Sequence, residues 1–267
     1  MGVPYAEVIG DPVAHSKSPL IHKYWLEQLG IEGDYRATRV AAAELPAYFA
    51  ARSEDPDWRG CNVTMPLKEG AIALVDTNAI TRRIGAVNTV VRYEGVLTGL
   101  NTDWQGINLA LDPYRLDPKS VAIIGAGGAA RAALADMRLQ KVAHIVMVNR
   151  SPEKAEALLR LFGLAGEVAP LGAAPEVDLL INASPLGMAG YPGLDIDLSR
   201  LNAGATVFDM VYDPLETPLL KAARARGLKT VDGLSLLIHQ ASMAFIHFFK
   251  GSPDPADGPG LRDLLTS

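Results

Sequence analysis

"SVAIIGAGGAARAALADM", Ser120 to Met137, decides the fold. Val121 to Ile124 is an apolar run of strand length, the glycines after it make a turn, and the alanine-rich stretch beyond favours a helix. Strand, glycine turn and helix in that order are the context that a dinucleotide fingerprint requires. Gly125, Gly127 and Ala130 fit G-x-G-x-x-G/A. The first glycine allows the tight turn, the second lets a pyrophosphate approach the backbone, and Ala130 lets the helix pack close to its strand. Ala126, Gly128 and Ala129 fill the turn and the helix start, where unpaired N–H groups face an anion. An ordinary glycine turn with no ligand is the plainer alternative.

Downstream, "HIVMVNRSPEK", residues 144 to 154, predicts the second strand and the start of the next helix, with Pro152 at its first position. In a dinucleotide fold this strand normally ends in an acid that binds the ribose 2′-OH. Here it ends in Asn149-Arg150. A carboxylate repels a 2′-phosphate, whereas a guanidinium pairs with it through two parallel hydrogen bonds. The expected cofactor is therefore NADP rather than NAD. Ser151 adds a hydroxyl and Lys154 a second cation, the alternative being solvated charges at a helix start.

Composition sets the frame. A chain of 267 residues suggests about two domains. Hydrophobic residues make up 49% and charged ones 21%, which is globular usage. A formal charge of −5 without a dense Lys/Arg block argues against a nucleic-acid partner and favours a small-molecule substrate. The N-terminus lacks the layout of a signal peptide and no apolar stretch has the length of a membrane helix, so a cytoplasmic location without a membrane partner is expected. Cys61, the single cysteine, has no internal disulfide partner and reads as a small buried residue. The five histidines show no ligand spacing, so no metal is expected. His22, in an early helix, and His239 and His247, in the apolar last helix, read as packing residues.

Outward from the fingerprint, apolar runs alternate with amphipathic stretches, the pattern of α/β folds with parallel sheets. Strands are predicted at "AEVIG", "DYRATRV" and "GCNVTM", and helices at "SPLIHKYWLEQLG", "AAELPAYFAARS" and "PLKEGAIALV". "AVNTVVRYEGVLTGLNTD" reads as a hairpin around Glu94-Gly95, followed by a helix at "WQGINLALD". "DPYRLDPKS" marks a domain boundary by composition. Beyond the fingerprint come strands at "VDLLIN", "ATVFDMV" and "KTVD", a helix at "LETPLLKAARARG", a buried last helix at "LSLLIHQASMAFIHFF" and an exposed tail at "GSPDPADGPG".

Polar clusters fall where strands end. "HSKSP" brings Ser16, Lys17 and Ser18 to a helix start, suited to a carboxylate, with helix capping as the alternative. "NVTMPLK" places Asn62, Thr64 and Lys68 at a strand exit, and "GAVNT" and "GLNTD" add Asn88 and Asp103. Each is also an ordinary turn residue. Asn182 and Ser184 in "NASPLGM" and Met210 in "DMVYDP" lie at carboxyl ends of strands, where open α/β sheets bind ligands. Turn chemistry and core packing are their alternatives.

With "HSKSP", "NVTMPLK", "IGAVNTV", "NTD", "GAGGAARA", "NRS", "NASPLGM", "DMVYDPLETPLL" and "DGLSLLIHQA" in this order, the sequence resembles the shikimate dehydrogenase family over most of its length. The resemblance implies two domains. Residues 1–102 with 235–267 form a substrate-binding α/β domain, and residues 103–234 an inserted Rossmann-like NADP-binding domain, with a cleft between them. It implies reversible reduction of 3-dehydroshikimate to shikimate with NADPH, a step of aromatic biosynthesis. Ser16 and Ser18 would hold the substrate carboxylate, Thr64, Asn88, Asp103 and Gln240 its hydroxyls, and Asn62 would bind substrate with them. Lys68 and Asp103 would form the catalytic pair, and Tyr212 would reach towards the substrate. Asn182, Ser184, Met210 and Gly233 would join the cofactor site.

Hydride delivery to a ketone develops negative charge on oxygen, and a lysine supplies both a cation and a proton there. In the oxidative direction Lys68 must be neutral, and a carboxylate beside it favours the ammonium. Asp103 is therefore better read as orienting Lys68 than as activating it, and oxidation is expected to quicken as pH rises. Two positions depart from the family pattern: Trp104 stands where a small residue is usual, and Lys154 where an arginine is frequent. The alternatives are a quinate/shikimate dehydrogenase using NAD or NADP, and a non-catalytic NADP-sensing or ligand-binding protein. A monomer or homodimer is expected.

Overall fold

The computed structural model describes residues 2–114, 119–255 and 259–266. Backbone contacts divide it into two units, Met1–Gln105 with Ile238–Ser267, and Gly106–Leu237. The crossings thus follow Gln105 and Leu237 rather than residues 102 and 234. They fall inside helices, and Asp103, assigned to the nucleotide side by the sequence reading, lies in the first unit. Of the boundary read at "DPYRLDPKS", residues 115–118 lie outside the described residues.

The first unit opens with β1 (Tyr5–Gly10), α1 (Ser18–Gln28), β2 (Asp34–Arg39), α2 (Leu45–Ser53) and β3 (Trp58–Val63). Pro46 sits in the first turn of α2, where its missing N–H has no helical partner to lose, and a 3₁₀ turn over Ala42–Glu44 leads into it. After β3 the sequence reading expects a helix over "PLKEGAIALV". The chain instead turns at 65–69, with the Lys68 carbonyl accepting from Val87 N–H at 2.8 Å, and forms a 3₁₀ helix only over Gly70–Leu74. That tie to a neighbouring loop replaces the helical partner the carbonyl would otherwise need. A short β4 (Asp76–Thr77) and α3 (Ala79–Ile84) follow, then the expected hairpin of β5 (Thr89–Tyr93) and β6 (Val96–Leu100) and the helix α4 (Asp103–Leu111).

The strand order β2-β1-β3-β5-β6-β4 makes a mixed sheet, not the parallel one that alternation suggested. β1 runs parallel to β2 and β3, β5 re-enters antiparallel to β3 after α3, and the hairpin turns β6 back antiparallel to β5. Ile9, Phe49, Trp58, Cys61, Leu67 and Val90 share a buried cluster, and Val8, Tyr35, Ala244 and Phe248 form another. Beneath it the His22 ring stacks on Tyr35 at 3.9 Å, with Phe245 and Phe248 at 5.7 and 5.9 Å. Among the described residues neither ring nitrogen of His22 has a hydrogen-bond partner, and burial pushes its pKa down to about 3, so the ring is a neutral core aromatic. Glu7, 1% exposed, accepts from Arg52, Thr38 and Tyr48 within the same unit.

The second unit continues with β7 (Ser120–Ile124), α5 (Gly128–Leu139), β8 (His144–Val148), α6 (Pro152–Phe162), β9 (Gly166–Ala169), β10 (Leu179–Asn182), β11 (Thr206–Asp209), α7 (Pro218–Ala225), β12 (Lys229–Val231) and α8 (Gly233–Phe249). Its sheet is parallel, in the order β12-β11-β10-β7-β8-β9. This is the doubly wound Rossmann-like order, whose topological switch point lies between β7 and β10. Val121 to Ile124 and Leu179 to Ile181 are fully buried, as strands covered on both faces must be. α8 runs on into the first unit, where α9 (Pro259–Thr266) closes the described chain. In the tail read as exposed, Pro253 is buried and residues 256–258 lie outside the described residues. Among the described residues no helix is long and apolar enough to cross a membrane.

Candidate active site

In the first unit, strand direction gathers the polar loops. β1 and β3 are parallel with Ile9 opposite Val63, β5 is antiparallel with Thr89 opposite Asn62, and Leu100 of β6 faces Thr89. The exits of β1, β3 and β6 and the entry of β5 therefore share one sheet edge. Ser16 and Ser18 follow β1, Thr64 and Lys68 follow β3, Asn88 precedes β5, and Asp103 follows β6.

Lys68 Nζ donates to Asp103 Oδ2 at 2.6 Å, with the two side chains 23% and 12% exposed. The other carboxylate oxygen accepts from Asn88 Nδ2 at 2.8 Å. Asn88 is itself held: its Oδ1 accepts from Thr102 N–H at 2.7 Å. The Asp103 N–H donates to Asn101 Oδ1 at 3.1 Å, and Asn101 Nδ2 to the Ala86 carbonyl at 2.9 Å. Asp103 is thus fixed from its backbone as well as its side chain. Asn101 and Thr102 escaped the sequence reading, although "NTD" contains both.

Asn62 is 6% exposed, and its amide accepts from Tyr35 O–H at 2.6 Å and donates to the Asn88 carbonyl and Thr89 Oγ1 at 3.2 and 3.0 Å. Among protein groups it is committed to the frame behind the site. At the start of α1, Ser16 Oγ accepts from Ser18 N–H at 3.3 Å, and the N-cap residue Lys17 makes no side-chain capping bond among the described residues. The Lys17 ammonium turns away, donating to the Leu265 carbonyl of α9. Gln240 lies half-buried on α8.

The second unit carries the fingerprint. Gly125 has φ +106°, a conformation that L side chains rarely adopt, and an added Cβ would lie 3.0 Å from the Ala183 carbonyl oxygen and 3.3 Å from Ser184 Cβ. The turn after β7 and the loop after β10 therefore touch at the switch point. A Cβ on Gly127 would meet nothing within 4 Å, and α5 has no side-chain cap. Ala130 is fully buried against the fold. Open space over Gly127, beside uncapped N–H groups, fits a pyrophosphate. Ala126, Gly128 and Ala129 are half-buried around it.

At the end of β8, Arg150 and Lys154 are exposed and form no ion pair among the described residues. Asn149 Nδ2 donates to the Ser151 carbonyl at 2.9 Å, which shapes the turn. A hollow of about 440 Å³ lies here, lined by Asn149, Arg150, Pro152, Glu156, Val168 and Leu171 among others. The Arg150 guanidinium on a largely apolar hollow, with Lys154 in the next helical turn, suits an adenosine bearing a 2′-phosphate.

One cofactor assignment needs correction. Asn182 is 0% exposed, with Nδ2 donating to the Leu186 carbonyl and Asp209 at 3.0 and 2.9 Å, and Oδ1 accepting from Ser184 N–H and O–H at 3.1 and 2.7 Å. It lies behind the loop and offers no surface to a ligand. Ser184 and Met210 are partly open. Gly233 lies under the Met210–Val211 turn, where an added Cβ would come within 2.4 Å of the Met210 carbonyl oxygen. Its role is to let two backbones meet. Tyr212 is half-buried, and burial lifts its phenol above the ordinary pKa. Among the described residues no group of His, Cys, Asp and Glu is disposed to hold a metal.

A family model described as the shikimate dehydrogenase substrate binding domain matches residues 8–90, and one described as shikimate / quinate 5-dehydrogenase matches residues 108–184. The chain is 55% identical over 267 residues to the shikimate dehydrogenase (NADP(+)) of Sphingopyxis alaskensis, covering 99% of this chain and 97% of that one. Identity to the protein of the same name from Azorhizobium caulinodans is 43%, covering 97% and 95%. The crystal structure of shikimate 5-dehydrogenase from Thermus thermophilus, in complex with NADP(H) and shikimate, aligns with a TM-score of 0.88 at 37% identity, covering 98% of each chain.

Proposed function

The chain belongs to the shikimate dehydrogenase family, and from that premise we propose that it reduces 3-dehydroshikimate reversibly to shikimate with NADPH, a step of aromatic amino acid and chorismate biosynthesis. The observation that carries the reading is the Lys68–Asp103 pair, 2.6 Å apart, with Asn88 on the second carboxylate oxygen.

Bound NADPH supplies a hydride to the substrate's carbonyl carbon. As negative charge grows on the carbonyl oxygen, the Lys68 ammonium stabilises it and delivers the proton that completes the alcohol. Asp103, fixed by Asn88 and Asn101, holds that ammonium in one direction and accepts from a substrate hydroxyl. In the reverse reaction Lys68 takes the alcohol proton back. Ser16 and Ser18 bind the substrate carboxylate, Thr64, Asn88 and Gln240 its hydroxyls, and Asn62 keeps Asn88 in register. Gly127 and the start of α5 receive the pyrophosphate, Arg150 with Ser151 and Lys154 the 2′-phosphate, and Met210 packs on the nicotinamide. The cytoplasmic setting belongs to this proposal too.

The test is the initial rate of oxidation of shikimate and of quinate, each with NADP and with NAD, beside a folded Lys68→Ala variant. Dominant turnover of shikimate with NADP, lost in the variant, supports the reading. Preference for quinate or NAD replaces it with the quinate/shikimate alternative, and ligand binding without turnover replaces it with a sensor.

A further inference from the structure

Asp209, at the end of β11, is a fully buried carboxylate in a part of the sheet whose neighbours Leu180, Val207 and Phe208 are apolar. Burying a carboxylate is costly unless donors surround it. Asp209 has three. Oδ1 accepts from Asn182 Nδ2 at 2.9 Å and from Val211 N–H at 3.1 Å, and Oδ2 accepts from Thr217 O–H at 2.6 Å. Filling the same volume with a leucine would avoid the cost, so the placement calls for a reason.

The reason lies in what an obligate acceptor does to its two neighbours. An asparagine amide has a donor end and an acceptor end, and a carboxylate accepts only. Asp209 therefore forces Asn182 to turn Nδ2 towards β11. The Asn182 Oδ1 is left facing Ser184, whose N–H and O–H it accepts at 3.1 and 2.7 Å. Ser184 is the residue whose Cβ lies 3.3 Å from the Cβ position of the fingerprint residue Gly125. On the other side, the bond from Val211 N–H fixes the turn whose Met210 and Val211 carbonyl oxygens would lie 2.4 and 2.5 Å from a Cβ added at Gly233. One carboxylate thus sets two turns, the one bearing Ser184 and the one bearing Met210.

We propose that Asp209 is the positioning residue for the nicotinamide end of the cofactor, acting through Asn182 on Ser184 and through Val211 on Met210. The inference rests on the NADP-dependent reading above. Asp209→Asn keeps the volume but presents an amide donor to groups that are themselves donors, so the loops lose their common anchor. Adenosine 2′,5′-bisphosphate, which carries the 2′-phosphate but no nicotinamide, separates local misplacement from general damage.

For Asp209→Asn the KM for NADP should rise about tenfold and kcat should fall, the size expected for a lost bond to a charged group. The inhibition constant of adenosine 2′,5′-bisphosphate should stay within about twofold of the wild-type value, a shift smaller than one hydrogen bond produces. Wild-type KM and kcat in the variant overturn the proposal, and so does a parallel weakening of the bisphosphate. If Asp209→Asn does not fold, Thr217→Val removes one donor, and a KM for NADP raised about threefold supports the proposal while an unchanged one overturns it. If the wild-type protein oxidises no shikimate, the functional reading has failed. NADPH titration of wild type and variant by nicotinamide fluorescence then decides the positioning role alone, with equal affinities overturning it.

Discussion

Asp136→Asn should stabilise the protein at neutral pH. Asp136 lies on α5, 0% exposed, and its oxygens accept from Asn108 Nδ2 at 3.1 Å and Gln140 Nε2 at 2.7 Å. Both donors are neutral amides, so burial outweighs them and lifts the carboxyl from 3.8 to about 6. A carboxyl whose pKa is higher folded than unfolded holds its proton more tightly in the native state, so stability falls as pH rises through the window between the two values. A shift of about 2 units at ~1.36 kcal/mol per unit amounts to ~3 kcal/mol. The substitution removes that cost but exchanges one accepted bond for an amide donor, a loss of ~1 kcal/mol. The variant should therefore be ~2 kcal/mol more stable above about pH 7 and ~1 kcal/mol less stable below about pH 3. Urea unfolding followed by far-UV circular dichroism measures this. Tryptophan fluorescence would not, because Trp25, Trp58 and Trp104 all belong to the first unit. Taking the difference between variant and wild type cancels the titrations they share. A difference that stays constant across this range would refute the reasoning, as would one that shrinks as pH rises.

Lys68→Met should lower kcat by about 10²- to 10⁴-fold, the range of a lost general acid, in initial-rate assays of either direction. Arg150→Ala should raise the KM for NADP about tenfold or more while leaving that for NAD unchanged, since only the 2′-phosphate needs the guanidinium. Glu7→Gln should destabilise the first unit by ~3 kcal/mol, because it strands Arg52 without its partner. Despite burial, hydrogen bonds from Arg52, Thr38 and Tyr48 hold Glu7 below the ordinary carboxyl range. Its contribution should be complete above the unfolded pKa and vanish as pH falls through the folded one, as urea melts read by tryptophan fluorescence will show.

The second unit was legible because its signals are local. The strand, Gly125, Gly127 and Ala130 announce the turn, and Asn149-Arg150 announces the cofactor, from residues adjacent in sequence. The first unit hid its mixed sheet because alternation of strands and helices says nothing about the direction in which the chain re-enters beside β3, and β5 enters antiparallel to it. "PLKEGAIALV" misled because helix propensity cannot reveal that the Lys68 carbonyl is taken by Val87. Asn182 and Asp209 were misjudged or missed for one reason. They are polar residues at strand ends, like those that meet ligands, and only burial separates those that touch from those that hold. β4, α3 and β9 are short and carry little periodicity.

The first unit is assembled from two ends of the chain, and that order has a consequence during synthesis. Residues 106–237 emerge from the ribosome as one uninterrupted stretch and have their whole sheet in hand before translation ends. The first unit has all its strands much earlier, yet the His22–Tyr35 stack stays without Phe245 and Phe248 until the last helices are made. A nascent chain thus carries an open aromatic face for the time needed to translate more than half the protein, and this is the interval in which a chaperone has something to hold. A premature stop just before Phe245 would leave a nucleotide-binding unit intact beside a substrate half that cannot close its core.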